Sequence, residues 1–334
     1  MSTYPYASFV STTPLPISTG EVLDKLWRTL RSNWKLYLWL GAPLAAAGIL
    51  FMALYFAAFF ASGAFPLRPG TNVGMPNPTR ILPWMYGAML IGSIPNLIVF
   101  ALYQAATAFA TLREASGLKT TMGEAYAAAW HKAGRHCWLM ILQYLCVAGP
   151  ILALLVIASV LIAASGFGSN PNPAVLFVII PLIFLLVMGA FAYAIWMALS
   201  LGMAFPASVA EDLPVIAALK RSSQLSCRVK GKLFLVLLVV YAISYAAIFA
   251  LEIGGGGIIA VGALLFQMLH LNIAIGIALG AIAALAFLVL MLVYMCLIWA
   301  AYSITFTIVY CDQRLRLDGL IGGFSQIQLG APLA

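Results

Sequence analysis

The chain has 334 residues, of which 64% are hydrophobic and 8% are charged, and its formal net charge is +8. A typical soluble domain has about 25% charged residues, so this composition excludes a water-soluble fold. Fifteen of the seventeen Lys and Arg residues lie in four short polar segments, at 21–35, 113–135, 220–232 and 314–316, and long apolar runs separate these segments. The alternation predicts a protein that crosses a membrane several times.

Six apolar runs are long enough to cross a membrane, since about 20 helical residues span the hydrocarbon core. In chain order they are Leu36–Ala61, Ile81–Leu112, Cys137–Ala164, Ala174–Ala210, Leu233–Leu251 and Ile273–Tyr310. Pro95 interrupts the second run and Pro181 lies in the fourth, and we expect both to kink their helices. Four glycines at 254–257 are expected to break the fifth helix, and the apolar stretch Gly257–Leu271 is a candidate re-entrant or interfacial piece. We therefore predict an all-α fold, a polytopic transmembrane helix bundle of about six spans.

The basic residues also predict the orientation of the chain. With six spans, the N-terminus, the loops 113–136 and 211–232, and the C-terminus share one side, which carries 15 Lys and Arg residues. Short cytoplasmic loops carry the excess of Lys and Arg, so we expect both termini in the cytoplasm and the protein in a plasma or bacterial inner membrane. We expect residues 1–17 to form a disordered cytoplasmic tail and residues 320–334 to form a C-terminal cytoplasmic tail.

A repeat of roughly 100 residues divides the single membrane domain predicted for residues 18–319. Ser18–Glu21 and Thr121–Glu124 both match the capping box S/T-x-x-E, which opens a helix. Apolar residues follow each box at the same spacing, which predicts an amphipathic helix at the membrane interface before each helical hairpin. A third, more degenerate copy begins at Asp212 and Pro214. The predicted repeats cover about 18–118, 120–211 and 212–318.

Basic residues on these three interfacial helices are the candidate binding site. Each contributes about 1 kcal/mol near an anionic cytoplasmic leaflet. The candidate lipid- or partner-binding residues are Lys25, Arg28, Arg31, Lys35, Lys132, Arg135, Lys220, Arg221, Arg228, Lys230 and Lys232. The competing interpretation is that these residues only fix the topology and pack beneath the bundle. The expected partners are membrane lipids with anionic headgroups on the cytoplasmic face and an unidentified protein, and no nucleic acid.

The sequence carries no pattern typical of a catalytic, cofactor or metal site. No Asp, Glu, Lys or Arg lies inside the six runs, which weighs against a proton-coupled transporter. Metalloprotease, serine hydrolase, P-loop and dinucleotide-binding motifs are absent. His131 and His136 share a predicted cytoplasmic helix, but their spacing places them on diverging faces. We therefore expect no enzymatic activity, no cofactor and no metal.

Three segments at membrane edges resemble a known family. They are Glu21–Trp34 with the sequence EVLDKLWRTLRSNW, Ala217–Leu225 with the sequence AALKRSSQL, and Tyr310–Gly319 with the sequence YCDQRLRLDG. Together they are similar to bacterial membrane proteins of the glycerophosphoryl diester phosphodiesterase membrane-domain type, over roughly residues 20–319. In phosphodiesterases with this domain, hydrolysis resides in a separate soluble barrel, and only 24 residues follow Tyr310 here. The resemblance implies a stand-alone membrane domain without the catalytic barrel, whose role is generally undefined.

Two classes of function stay open at this point. The first is a non-enzymatic multi-pass membrane protein that organises or supports a membrane process through its basic interfacial helices. The alternative is a permease or lipid-handling transporter, since internal repeats are frequent in transporters. An enzyme acting on phospholipid headgroups is a weaker third hypothesis, because Glu21 and Glu124 are better explained as helix caps than as an acid–base pair.

Overall fold

The computed structural model describes residues 17–61, 78–164, 173–268 and 273–319. Every regular element in these ranges is an α-helix, so the predicted all-α fold is confirmed. The helices are α1 (Thr19–Ser32), α2 (Trp34–Ala61), α3 (Pro78–Ala115), α4 (Met122–His131), α5 (Ala133–Ala164), α6 (Pro173–Leu201), α7 (Ala204–Ala210), α8 (Val215–Ser226), α9 (Lys230–Met268) and α10 (Ile273–Gly319).

Six helical stretches of the described residues are long and apolar enough to cross a membrane, and they match the six predicted runs. They are Trp34–Ala58, Gly87–Ala115, Ala133–Ala158, Ile180–Ala210, Lys230–Gly257 and Leu279–Leu317. A short helix precedes each pair of long ones: α1 comes before α2 and α3, α4 before α5 and α6, and α8 before α9 and α10.

The two predicted capping boxes are present. The Ser18 hydroxyl accepts a hydrogen bond from the Glu21 N–H at 3.2 Å, and the Glu21 carboxylate accepts one from the Ser18 N–H at 2.7 Å. Thr121 and Glu124 make the same reciprocal pair at 3.3 and 3.4 Å. These bonds satisfy N–H groups that have no partner within the helix. At the third short helix, Pro214 is the N-cap residue of α8 and provides no side-chain bond.

The predicted break of the fifth helix at Gly254–Gly257 is wrong, because α9 continues through these glycines to Met268. In an apolar medium each unpaired backbone group costs several kcal/mol, against about 1 kcal/mol for a glycine inside a helix. Gly255 also allows a close approach between helices, since a Cβ there would lie 2.5 Å from a ring carbon of Phe287 on α10. Of the apolar stretch Gly257–Leu271, residues 257–268 belong to α9, and 269–271 lie outside the described residues.

Helices α3 and α6 continue through Pro95 and Pro181, and the kinks expected at these prolines stay predictions. Two further expectations need correction. The fourth run is divided into two helices at Gly202 and Met203, between α6 and α7. His131 and His136 lie on different helices, because α4 ends at His131 and α5 begins at Ala133.

Contacts divide the chain into two compact units. Unit 1 comprises Met1–His131 and Leu235–Ile308, and unit 2 comprises Lys132–Phe234 and Val309–Ala334. In unit 1, α2 and α4 pack against α3, whose residues 101–112 are the most buried part of the unit. Alanine occurs repeatedly in this segment and lets neighbouring backbones approach closely.

In unit 2, α5 packs against α6, and the short helices α7 and α8 pack against each other. The hydroxyls of Ser222 and Ser226 on α8 donate to the Ser200 carbonyl oxygen on α6, at 2.8 and 3.3 Å. Helix α8 is therefore tied to unit 2 by polar bonds as well as by the burial of Ala218 and Leu225.

Candidate functional site

Helix α1 buries one face in unit 1 and exposes the other. Val22 and Leu26 are buried, whereas Trp27 is 62% exposed and Trp34, the first residue of α2, is 47% exposed. Five of the exposed residues form what is called here the basic face of α1: Trp27, Arg28, Arg31, and the first two residues of α2, Trp34 and Lys35. Glu21, Asp24 and Ser32 of the same segment are exposed as well. Tryptophan rings and cations side by side are typical of a surface in the headgroup layer of a membrane.

The cations of this face have few acidic partners within the protein to neutralise their charge. The Arg28 guanidinium lies 3.4 Å from the Asp24 carboxylate, but both side chains are more than 70% exposed, so the pair is weak. The Lys35 ammonium lies 5.8 Å from the centre of the Trp34 ring. Arg31 makes no ion pair with any residue in the described part of the chain.

Behind the basic face, the Glu114 carboxylate joins the end of α3 to the junction of α1 and α2. It accepts hydrogen bonds from the Asn33 amide at 2.6 Å, the Ser32 hydroxyl at 3.0 Å and the Tyr37 hydroxyl at 3.0 Å. Nearby, the Arg113 guanidinium pairs with the Glu124 carboxylate at 3.1 Å. These bonds fix the orientation of α1 on unit 1.

In unit 2, Asp212 binds two of the predicted lipid-binding cations. The Arg135 guanidinium lies 2.6 Å from its carboxylate, and the Lys132 ammonium contacts the same oxygen. Hydrogen bonds from Lys132 and Arg135 lower the pKa of Asp212. Asp212 has a φ of 52°, a left-handed conformation that costs a non-glycine residue about 1 kcal/mol or more. The two ion pairs offset part of that strain.

Glu211, the neighbouring residue, is the centre of a second ionic cluster in unit 2. Its carboxylate lies 3.2 Å from the Arg221 guanidinium and 3.7 Å from the Arg314 guanidinium, and it accepts a hydrogen bond from the Tyr310 hydroxyl at 2.7 Å. The Glu211 side chain is only 15% exposed, so these bonds form largely out of water. They connect the segment after α7 to α8 and to the end of α10.

Cations of α8 and the start of α9 are the remaining candidates in unit 2. Lys220 and Arg228 are exposed and form no ion pair with the described residues. The Lys230 ammonium lies 3.7 Å from the centre of the Trp196 ring, a cation–π contact. Lys232, like Lys25 of α1, is partly buried.

The structure therefore divides the eleven predicted residues. Lys132, Arg135 and Arg221 are bonded to acidic residues of unit 2, whereas Arg31, Lys35, Lys220 and Arg228 are exposed without an acidic partner in the described ranges. Sequence reasoning missed Glu114 in unit 1 and Glu211 in unit 2, and it assigned Asp212 only to the start of a helix and not to an ion-pair cluster. Their signal was the position of each at the end of an apolar run, beside a predicted basic loop.

No other site of chemistry is evident in the part of the chain that the structure describes. There, no group of three or more His, Cys, Asp and Glu residues could hold a metal ion. An open concavity of about 420 Å³ lies on α4, lined by Tyr126, Ala127, Trp130 and His131. The Tyr126 hydroxyl donates its proton to the Leu40 carbonyl oxygen at 2.6 Å, so it could only accept a hydrogen bond from a ligand.

The six apolar helices and the short helices between them define a multi-pass α-helical membrane protein. Comparisons with protein-family models, curated proteins and solved structures found no match for the chain.

Proposed function

We propose that this protein is a non-enzymatic membrane-organising or accessory protein that binds anionic lipid at the cytoplasmic leaflet. The basic face of α1 carries the proposal, because it combines exposed cations with two exposed tryptophans. Lys220 and Arg228 supply a second contact on α8. The resemblance to the phosphodiesterase membrane domains, in which hydrolysis resides in a separate barrel, supports a role without catalysis for this membrane domain, in a bacterial inner membrane with both termini cytoplasmic.

We expect the exposed cations to contribute more to the free energy of lipid binding than the paired ones. A cation near an anionic leaflet contributes about 1 kcal/mol, so the pair Arg31 and Lys35 would contribute about 2 kcal/mol, or roughly 30-fold in affinity. Lys132 and Arg135 already bind Asp212, so a lipid headgroup would have to compete with that carboxylate. They should contribute much less.

A pair of double variants tests this difference. Full-length protein in zwitterionic detergent is titrated with phosphatidylglycerol or phosphatidylcholine, and bound lipid is counted by native mass spectrometry. Arg31→Gln with Lys35→Gln should weaken phosphatidylglycerol binding by roughly 30-fold and leave phosphatidylcholine binding unchanged. The matched control, Lys132→Gln with Arg135→Gln, removes the same formal charge and should change the affinity several-fold less.

Equal phosphatidylglycerol affinity for the wild type and the Arg31 and Lys35 variant, with unchanged helical circular dichroism, would refute the proposal. Equal losses in the two double variants would also contradict it, because they would show a response to net charge alone. The loss should shrink at high salt, as expected for exposed charges.

A further inference from the structure

The open concavity on α4 is a binding site of a different kind from the basic face of α1. It has a volume of about 420 Å³ and is lined by Tyr126, Ala127, Trp130 and His131. This volume lies in the range of about 300–1,000 Å³ that is typical of sites for small molecules. None of the four lining residues carries a permanent charge, so the concavity does not select an anion as the cations of α1 do.

Helix α4 holds this site in a fixed position at the edge of the membrane. Its alanine face is buried in unit 1, and the Tyr126 hydroxyl donates to the Leu40 carbonyl oxygen of α2 at 2.6 Å. The helix ends at His131, and a spanning stretch begins at Ala133. Trp130 is 67% exposed, and a tryptophan beside the start of a span is typical of the headgroup layer. The concavity therefore lies at the level of lipid headgroups.

A difference in sequence between α1 and α4 explains the uncharged lining. Counted from the two capping boxes, Ala127 and His131 occupy the positions of Asp24 and Arg28 on α1. Asp24 and Arg28 form an exposed ion pair at 3.4 Å, whereas the small side chain of Ala127 leaves room beside His131. The two interfacial helices therefore present different surfaces, one cationic and one aromatic.

The chemistry of the lining favours a cation that donates hydrogen bonds. The rings of Tyr126 and Trp130 attract cations to their faces. Because the Tyr126 hydroxyl donates its own proton to Leu40, it can only accept a hydrogen bond from a ligand. An ammonium group meets both requirements, whereas the oxygens of a phosphate or a carboxylate only accept. The indole N–H of Trp130 and an imidazole N–H of His131 remain as donors for an adjoining phosphate.

We propose that the concavity on α4 binds the headgroup of phosphatidylethanolamine, a phospholipid with a primary ammonium group. Its headgroup carries an ammonium and a phosphate next to each other, which matches an aromatic site with one acceptor and two neighbouring donors. A lipid is the source of the ammonium because the site lies in the headgroup layer. The inference does not rest on the binding of anionic lipid at α1, since the two sites share no residue.

A series of headgroups tests the requirement for a donor. Full-length protein in detergent is titrated with phosphatidylethanolamine, its N,N-dimethyl form and phosphatidylcholine, and bound lipid is counted by native mass spectrometry. The first two lipids keep at least one N–H and should bind with similar affinity. Phosphatidylcholine has none and should bind at least about threefold more weakly, because it loses the hydrogen bond to Tyr126. Equal affinity for phosphatidylcholine and phosphatidylethanolamine overturns the proposal.

The same titration tests whether the ligand is a lipid. Glycerophosphoethanolamine has the same headgroup without acyl chains, so it cannot gain from burying them in the bilayer or the detergent micelle. It should displace bound phosphatidylethanolamine only at a concentration at least about 100-fold higher than that of the lipid. Displacement at an equal concentration would show that the site takes a soluble amine, and it overturns the assignment to a membrane lipid.

Two substitutions on α4 test the location of the site. Trp130→Leu removes a ring and should weaken phosphatidylethanolamine binding about fivefold, the size of one cation–π contact. Ala127→Leu fills the concavity and should weaken this binding by a similar factor. Trp138→Leu is the matched control, since Trp138 is 54% exposed, follows α4 closely in the chain and does not line the concavity.

The affinity for phosphatidylglycerol separates this site from the one proposed on α1. It should stay unchanged in Trp130→Leu and Ala127→Leu, and Arg31→Gln with Lys35→Gln should leave phosphatidylethanolamine binding unchanged. Helical circular dichroism verifies that each variant is folded. Wild-type affinity for phosphatidylethanolamine in both α4 variants, or an equal loss in Trp138→Leu, overturns the proposal whatever the result for phosphatidylglycerol.

Discussion

We expect Glu211→Gln to destabilise unit 2. Among the acidic residues that lie in the polar segments between the spans, Glu211 should cause the largest loss of stability when its charge is removed. The substitution keeps the shape of the side chain and removes its charge. Glu211 is 15% exposed and has three partners, Arg221, Arg314 and Tyr310. A hydrogen bond to a charged group contributes about 1.5–3 kcal/mol, and partial exposure of the arginines and the 3.7 Å distance to Arg314 reduce the total. We expect a loss of about 2–4 kcal/mol.

Thermal unfolding of the full-length protein in detergent, followed by circular dichroism, measures this loss. Asp24→Asn is the matched control, because it removes an equivalent ion pair whose two side chains are 81% and 71% exposed. That exposed pair should contribute less than about 0.5 kcal/mol. A Glu211→Gln midpoint no lower than that of Asp24→Asn would refute the reasoning, since it would show that burial of the cluster contributes nothing.

Two further outcomes follow from local geometry and charge. Gly41→Ala should destabilise the protein by about 1–3 kcal/mol, because the new Cβ would lie 2.6 Å from the Cβ of Cys296 and 3.1 Å from its Cα. The control is Gly48→Ala on the same helix, whose new Cβ would have no atom within 4 Å and should be tolerated. Equal unfolding midpoints for the two variants would contradict this reasoning. The lowered pKa of Asp212 means that its ion pairs stabilise the folded protein above the ordinary carboxyl pKa of about 4 and lose this effect as the pH falls through the lowered value. At pH 7 the wild type should therefore be more stable than Asp212→Asn by less than about 1 kcal/mol, seen as a slightly higher unfolding midpoint. This difference should disappear toward pH 3. A difference that grows as the pH falls would contradict the stabilising role of these ion pairs.

The spans and helix starts were predictable because they depend on local sequence. An apolar run long enough to cross the hydrocarbon core is expected to form a helix, because the backbone must satisfy its own hydrogen bonds there. The capping box S/T-x-x-E places both capping partners within one helical turn. The fifth helix was predicted too short, because glycines that end a helix in water do not end it where the backbone has no other partner.

The ionic clusters were not predictable in the same way. Asp212 is bonded to Lys132 and Arg135, which lie about 80 residues earlier, and the pairing depends on how α5 packs near the end of α7. The sequence does not distinguish among the eleven candidate cations, because a lysine or arginine that is exposed and one that is paired in the fold are the same residue types.

Membrane topology tests the central claim most directly, because the proposed lipid-binding cations must face the anionic cytoplasmic leaflet. Reporters of cytoplasmic or exterior location are fused after Asn172 and after Asn272, with a third at the N-terminus. The account predicts an exterior signal from both internal fusions and a cytoplasmic signal from the N-terminal one. A cytoplasmic signal after Asn172 or Asn272, or an exterior N-terminus, would contradict it.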